Sequence, residues 1–288
     1  MAFDFSPERI AALAHDDAQR ALREDVGDGD LTAGLIDPAR RARARVVARE
    51  SAVLCGAPWF EAAVRQLEPQ AAVDWRVPEG ARCQAGDVVV TIEGRAQPLL
   101  SAERTALNFL QLLSAVATKT ALHVAAIRDV PGSQAAIVDT RKTLPGLRLA
   151  QKYAVRTGGG TNHRIGLHDA ILIKENHIAA AGGVTQALRA AAAVAARADF
   201  VEIEVETLAQ LREALEAGAA MVLLDNMDLP TLREAVRINA GRAVLEISGG
   251  VTLEALPALA ATGVHRISIG ALTKDVRAVD FSMRFEAL

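Results

Sequence analysis

FVEIEVETLAQLREALEAG, residues 200–218, reads as one complete strand-then-helix unit, and its pattern decides the fold class. Val201, Ile203 and Val205 alternate with Glu202, Glu204 and Glu206, so an extended chain puts the apolar residues on one face and the acids on the other. The period then changes. Thr207 can cap a helix whose Leu208, Leu211 and Leu215 share one face, and Gly218 can end it.

Five further apolar segments repeat the strand part of this unit: AAIVD (135–139), AILI (170–173), MVLL (221–224), AVLEI (243–247) and RISIG (266–270). Helical stretches separate most of them, at intervals of roughly 20 to 35 residues, which is the spacing of parallel strands joined by covering helices. The expectation is a TIM-like α/β barrel or an open parallel sheet. Six strands fall short of eight, so the barrel is expected to be irregular and open, with about seven strands, the seventh in YAVRTGG (153–159).

The N-terminal part has a different character. RARARVVARESAVLCG (41–56) and VPEGARCQAGDVVVTIEG (77–94) read as short strands, the latter broken by Gly80, Gly86 and Gly94. Residues 77–94 resemble a strand pair of a biotinyl or lipoyl carrier, but no lysine sits at the turn. From Ser101, a candidate N-cap, to Arg128 the pattern turns helical, with Leu107, Leu110, Leu113 and Val116 at helical spacing. The expected organisation is an N-terminal α/β domain over 1–112, a catalytic α/β barrel over 113–271, and a tail, 272–288, that packs back on the first domain.

Composition narrows the function classes. The chain has 288 residues, 51% of them apolar and 23% charged, which supports a substantial core. A net charge of −3 and 3% aromatic residues argue against nucleic acid or an anionic membrane as partner. Cys55 and Cys83 lie in no metal or redox spacing, and residues 1–10 lack the pattern of a signal sequence, so a cytoplasmic setting is expected.

Charge is nevertheless concentrated. Residues 139–177 hold seven Lys/Arg against three Asp/Glu, a local +4 that leaves −7 for the rest of the chain. In parallel α/β folds the carboxyl ends of the strands carry the active site. Those ends read Asp139-Thr140-Arg141-Lys142, Lys174-Glu175-Asn176-His177, Glu204 with its neighbours Glu202 and Glu206, Asp225-Asn226, Ser248-Gly249-Gly250, and Ser268 to Gly270. Cations, with His163 and Arg164 between the first two ends, suit an anionic substrate. Carboxylates suit a hard cation such as Mg²⁺, and glycine amides suit a phosphate. Arg148, Lys152 and Arg156 read instead as solvated surface charges, and His168 and His177 as structural.

The segment DTRKTLPGLRLAQKYAVRTGGGTNHRIGLHDAILIKENHI (139–178) closely resembles the signature region of the quinolinate phosphoribosyltransferases. The resemblance extends to ALREDVGDGDLT (21–32), ERTALNFLQ (103–111), and the EIEVET, LLDNM, EISGG and SIGALT strands. It implies transfer of phosphoribosyl from 5-phosphoribosyl 1-diphosphate to quinolinate with loss of CO₂, a step of NAD biosynthesis. It also implies Mg²⁺, no organic cofactor, and a head-to-tail homodimer. Carried onto this chain, it assigns quinolinate to Arg104 (from the neighbouring subunit), Thr140, Arg141, Lys142, His163, Arg164 and Lys174. Glu204 and Asp225 would serve the metal and ribose, and Ser248, Gly249, Gly250, Ser268 and Gly270 the phosphate. Lys142, Lys174, Glu204 and Asp225 would be catalytic. The rival readings are a phosphoribosyltransferase of the same fold acting on another pyridine or base, a Schiff-base aldolase using Lys174, and a carrier module.

Overall fold

The alternation in residues 200–206 survives folding as a two-faced strand. In the computed structural model, which describes residues 3–287, this strand sits inside a parallel sheet. In chain order the elements begin with α1 (Pro7–Val26), β1 (Arg41–Ala48), β2 (Ala52–Val53), α2 (Ala57–Leu67), β3 (Ala72–Trp75), β4 (Arg82–Cys83) and β5 (Val88–Arg95). The long helix α3 (Ala96–Arg128) follows, then β6 (Ala136–Val138), α4 (Arg148–Thr157), β7 (Ile171–Ile173), α5 (Glu175–Ala181) and α6 (Val184–Ala192). The last stretch is β8 (Val201–Val205), α7 (Leu208–Glu216), β9 (Met221–Asp225), α8 (Leu229–Asn239), β10 (Val244–Ser248), α9 (Leu256–Ala260), β11 (Arg266–Ser268), α10 (Ala271–Lys274) and β12 (Phe281–Ala287).

Two compact units emerge. One contains Leu122–Thr143 and Gly160–Lys274, and the other contains Asp4–Ala121, Leu144–Gly159 and the chain from Asp275 onward. The first unit is built on six parallel strands in the order β6-β11-β10-β9-β8-β7. Each expected strand forms within a residue or three of its predicted bounds. One face of this sheet, carrying Ile137, Ile173, Ile203, Val222, Leu245 and Ile267, packs on Leu211, Leu232, Leu256 and Leu272 from the connecting helices. The opposite face carries the polar residues. Helix α7 starts as expected, since the Thr207 hydroxyl accepts from the Gln210 N–H and the Gln210 side chain accepts from the Thr207 N–H.

The second unit holds an antiparallel sheet, β12-β1-β5-β3, and a separate β2-β4 pair. The 77–94 segment is therefore no carrier-like hairpin: β4 pairs with β2, whereas β5 pairs with β1 and β3. Gly94 is no breaker either. It lies within β5 opposite Ala42, and a Cβ there would come 3.0 Å from the Glu68 side chain. Helix α3 begins five residues earlier than Ser101 suggests, because Pro98 fits a first turn. The Ser101 hydroxyl bonds Asp30 and the Gln97 carbonyl instead. This helix is long and apolar enough to cross a membrane, yet half of its apolar window is buried in the fold. Leu107, Leu110, Leu113 and Val116 are at most 1% exposed.

The expected strand at 153–159 is a helix. Tyr153 to Thr157 belong to α4, and the chain touches the parallel sheet only at an isolated bridge between Thr161 and Val138. Nearly the whole circumference of α4 is covered, which explains a further correction: Lys152 is fully buried, not solvated. Arg156 is exposed and stacks over the Phe5 ring at 4.9 Å. Gly158 ends α4 where a Cβ would lie 2.4 Å from the Ala117 carbonyl oxygen, so its role is close packing on α3 rather than flexibility.

Candidate active site

The polar face of the parallel sheet is assembled by strand alternation alone. Leu172 precedes Lys174 by two residues on β7 and its exit. Glu202 precedes Glu204 on β8, Leu223 precedes Asp225 on β9, Glu246 precedes Ser248 on β10, and Arg266 precedes Ser268 on β11. These residues are opposite in parity to those of the apolar core. Register brings Glu246 beside Arg266 and Ser248 beside Asp225.

A pocket of about 320 Å³ opens on this face, lined by Thr140, Arg141, Lys142, His163, Arg164, Leu172, Lys174, Glu204, Leu223, Glu246, Ser248 and Ser268. Four cationic side chains meet two carboxylates there, so the pocket is cationic on balance. Leu172 and Leu223 supply its apolar surface. Lys174 stands at the entry to α5, where its N–H donates to His177 Nδ1 at 2.9 Å, and its Nζ lies 2.5 Å from Glu204 Oε2. His177 thus shapes the start of a helix, the structural role its position suggested. Gly270 packs against the same wall: a Cβ there would come 2.9 Å from the Lys142 side chain, and Thr273 Oγ1 donates to the Lys142 carbonyl at 2.8 Å.

The loop bearing His163 and Arg164 is held from below. Asp139, fully buried at the end of β6, accepts from the His163 N–H at 2.8 Å and from Asn162 Nδ2 at 2.7 Å. Asp169 accepts from the Ile165 and Gly166 N–H groups and holds the far side of the loop. The Arg164 guanidinium donates to the Ala170 carbonyl at 3.2 Å. Burial, with Arg141 nearby, lowers the Arg164 pKa from its ordinary value, but a guanidinium remains charged at neutral pH.

Below the pocket lies a network that the residue-by-residue reading of strand ends missed. His163 Nε2 is 2.8 Å from Glu202 Oε2 and 3.5 Å from Glu246 Oε1, while Glu246 Oε2 accepts from Arg266 Nε at 2.6 Å. Both carboxyls are fully buried, and each keeps one oxygen with no hydrogen-bond partner among the described residues. Burial pushes Glu202 up to about 7, against the opposing pull of Arg266. Glu246 is raised as well, first by burial and then by the neighbouring Glu202. Among the described residues, His163, Glu202 and Glu246 form the one group whose ligand atoms converge closely enough to hold a metal ion.

The three acids of β8 are now distinguishable. Glu202 is deepest, Glu204 faces the pocket, and Glu206 lies exposed beyond the strand end, where its N–H donates to Gln210. Of the other expected site residues, Asp225 closes β9 on the same face as Glu204 but does not line the pocket, and its carboxyl accepts from Asn226 Nδ2. Gly249 and Gly250 follow β10 in exposed left-handed conformations, φ 100° and 55°. A Cβ on Gly249 would collide with the Asn226 side chain. Arg104 lies exposed on α3, in the other unit.

The chain that carries this cationic pocket matches a known family. The model for "Quinolinate phosphoribosyl transferase, C-terminal domain" matches residues 116–284, and that for the N-terminal domain matches residues 30–114. The chain belongs to the quinolinate phosphoribosyl transferase family. It is 43% identical over 280 residues to a nicotinate-nucleotide pyrophosphorylase [carboxylating] of Mycobacterium leprae, covering 94% of this chain and 96% of that one. It is 38% identical over 288 residues to quinolinate phosphoribosyltransferase [decarboxylating] 1b of Nicotiana tabacum, covering 93% and 81% of the two chains. Among solved structures, the nicotinate-nucleotide pyrophosphorylase of Francisella tularensis superposes with a TM-score of 0.91 at 39% identity, over 96% of this chain and 97% of that one. The family's two-domain α/β architecture is thus the architecture of this chain.

Proposed function

We propose that this member of the family transfers phosphoribosyl from 5-phosphoribosyl 1-diphosphate to quinolinate with decarboxylation, yielding nicotinate mononucleotide, pyrophosphate and CO₂ for NAD synthesis. The observation that carries the reading is the pocket itself, in which Arg141, Lys142, Arg164 and Lys174 converge around two leucines. That lining matches a small, flat, apolar ring bearing two carboxylates.

The work of the cations is first electrostatic. A dianionic acid and a polyphosphate repel each other, and in a partly buried site that repulsion weakens only if fixed positive charge intervenes. Arg141 and Arg164 are suited to two-point grips on the carboxylates, which also aim the ring nitrogen at the sugar C1. Thr140 and His163 border that grip. The nitrogen–C1 bond then forms as the C1–oxygen bond to pyrophosphate breaks. The resulting ring cation stabilises the carbon electron pair left when the adjacent carboxylate departs as CO₂, and that carbon takes up a proton. No organic cofactor is needed for either step.

Glu204 and Asp225 close adjacent strands on the same face, and their hard oxygen donors fit Mg²⁺ bound mainly through the diphosphate. When bound, the ion supplies positive charge to the leaving pyrophosphate. Lys174, already paired with Glu204, keeps that carboxylate oriented toward the ribose. Lys142, Lys174, Glu204 and Asp225 form the catalytic set in this reading. Ser248, Gly249, Gly250, Ser268 and Gly270 receive the 5-phosphate, the positive-φ backbone at Gly249 and Gly250 being of the kind that forms anion-binding concavities.

A second copy of the chain completes the site by contributing Arg104. Mixing Arg104→Ala with Lys174→Ala subunits, each inactive alone, regains activity if each hybrid dimer contains one intact site. Failure to regain it removes the shared-site assignment. The buried free thiols Cys55 and Cys83 suit a cytoplasmic setting. The whole reading is tested by incubating the protein with quinolinate, phosphoribosyl diphosphate and Mg²⁺ and following nucleotide and CO₂. No nucleotide from quinolinate but product from another pyridine acid would point to that acid as substrate, and no product from any pyridine acid would overturn the assignment.

A further inference from the structure

Glu202, Glu246 and Arg266 have no part in the chemistry just described, yet their connections lead through His163 to a substrate-facing arginine. His163 is 7% exposed, with its ring edge-on to Phe200 at 5.3 Å. Both ring nitrogens are engaged inward. The Arg164 backbone N–H donates to His163 Nδ1 at 2.8 Å, so Nδ1 accepts and carries no proton. The ring proton therefore resides on Nε2, which donates to Glu202 Oε2 at 2.8 Å with Glu246 Oε1 next nearest at 3.5 Å. Glu246 is in turn held by Arg266 at 2.6 Å from the neighbouring strand. The chain of contacts runs Arg266, Glu246, His163, Arg164.

We propose that Glu246 and Arg266 are positioning residues: with Glu202 they lock His163 as its neutral Nε2–H form, and His163 Nδ1 fixes the backbone from which Arg164 reaches a substrate carboxylate. His163 borders the pocket but offers no free ring nitrogen to the substrate, so it is not the proton source for the decarboxylated carbon. The geometry explains why two buried carboxylates stand beneath a pocket built for anions. They are directed at a histidine and an arginine of the scaffold, and although Glu246 reaches the pocket lining, both orient the cationic loop through His163. This inference rests on the reading that the pocket holds a pyridine dicarboxylate.

The test combines a spectroscopic and a kinetic measurement on the full-length protein. In ¹⁵N-histidine NMR at neutral pH, the resonances that disappear in His163→Gln are expected to be those of an Nε2–H imidazole. A doubly protonated or Nδ1–H ring would overturn the proposal. Glu246→Gln, which removes the negative charge facing His163 and Arg266, is expected to raise KM for quinolinate about tenfold, while KM for phosphoribosyl diphosphate and kcat change less than about threefold. Arg266→Lys, at a partly exposed position where the charge is kept, is expected to move the same constant in the same direction by a smaller factor, and it serves if the Glu246 variant does not fold. A fall in kcat with KM for quinolinate unchanged in these variants would assign the network to proton transfer and overturn the positioning role. If the wild-type protein makes no product from quinolinate, the functional reading fails, whereas the NMR measurement still decides the state of His163.

Discussion

The two faces of the parallel sheet are made from the same strands, one residue out of phase, and they obey opposite rules. The helix-facing set is Ile, Val and Leu, most of them buried to a few per cent or less and gathered in one apolar cluster. The opposite set carries Lys174, Glu204, Asp225, Glu246 and Arg266 on the pocket side of the sheet, with Leu172 and Leu223 as the leucines of the pocket lining. The outer face satisfies its surface with dispersion and release of water. The inner face instead needs every charge matched, because an unpartnered buried charge is costly. Stability is thus concentrated on one side of the sheet and chemistry on the other, and substitutions can separate them.

The largest separation is expected from paired substitutions on the two faces. Arg164→Ala should lower kcat/KM for quinolinate roughly 10²- to 10³-fold by removing a two-point carboxylate grip. Its thermal midpoint should move little, since the guanidinium's bond within the fold is a single long one to the Ala170 carbonyl. Leu224→Ala, on the outer face and fully buried, should do the reverse, costing about 2–5 kcal/mol of stability. Its KM values should stay near wild type wherever the protein remains folded. Denaturant unfolding and steady-state kinetics on both variants check this. If Leu224→Ala changed KM as much as Arg164→Ala did, the faces would not be separable.

The inner face should also leave a mark on the pH dependence of stability. Glu202, fully buried and faced by His163, Glu246, Arg266, Arg164, Lys174 and Glu204, is raised from 4.5 to about 7. Between those values the folded protein binds a proton that the unfolded chain has released. The favourable contribution is therefore complete below pH 4.5 and is lost as pH rises through about 7. The shift corresponds to about 3 kcal/mol at most. Glu202→Gln should flatten the decline in unfolding free energy between pH 5 and 8, and the raised Glu246 should retain part of it. An unchanged slope would mean that Glu202 is already ionised throughout that window.

How much of this was legible follows from the same two-face distinction. The outer face declares itself, because apolar alternation and helix caps are local signals; all six parallel strands and the Thr207 cap could be read from them. Arg141, Lys142, His163, Arg164, Lys174 and Glu204 were legible because strand ends in parallel folds carry function, and the pocket brings them together. Glu246 and Arg266 were not. Each sits inside a segment that reads as apolar, and only their two-residue spacing from Ser248 and Ser268 would have put them on the pocket side. Segment 153–159 was misread because Tyr, Val and Thr favour strands locally, whereas burial around the whole of α4 decided for a helix. Lys152 followed the same error, since its burial depends on neighbours distant in sequence.

The smallest expected effect tests whether the local signal that disclosed the fold also contributes to holding it. Thr207 stands where the strand bearing Glu204 hands over to α7, and its hydroxyl accepts from the Gln210 N–H at 3.2 Å while the Gln210 side chain returns the bond. Thr207→Ala removes the acceptor and leaves the first turn to solvent, at a cost of about 1 kcal/mol. Thr207→Asp should recover most of that, because aspartate caps well and its charge suits a helix N-terminus. The cap lies three residues beyond Glu204, so a loosened turn should reach the catalytic end of the strand only weakly, with kcat within about twofold of wild type. If Thr207→Ala instead depressed kcat strongly and Thr207→Asp restored stability but not turnover, the hydroxyl would be serving the active site directly. The boundary between the two faces would then have to be drawn one turn further along the chain.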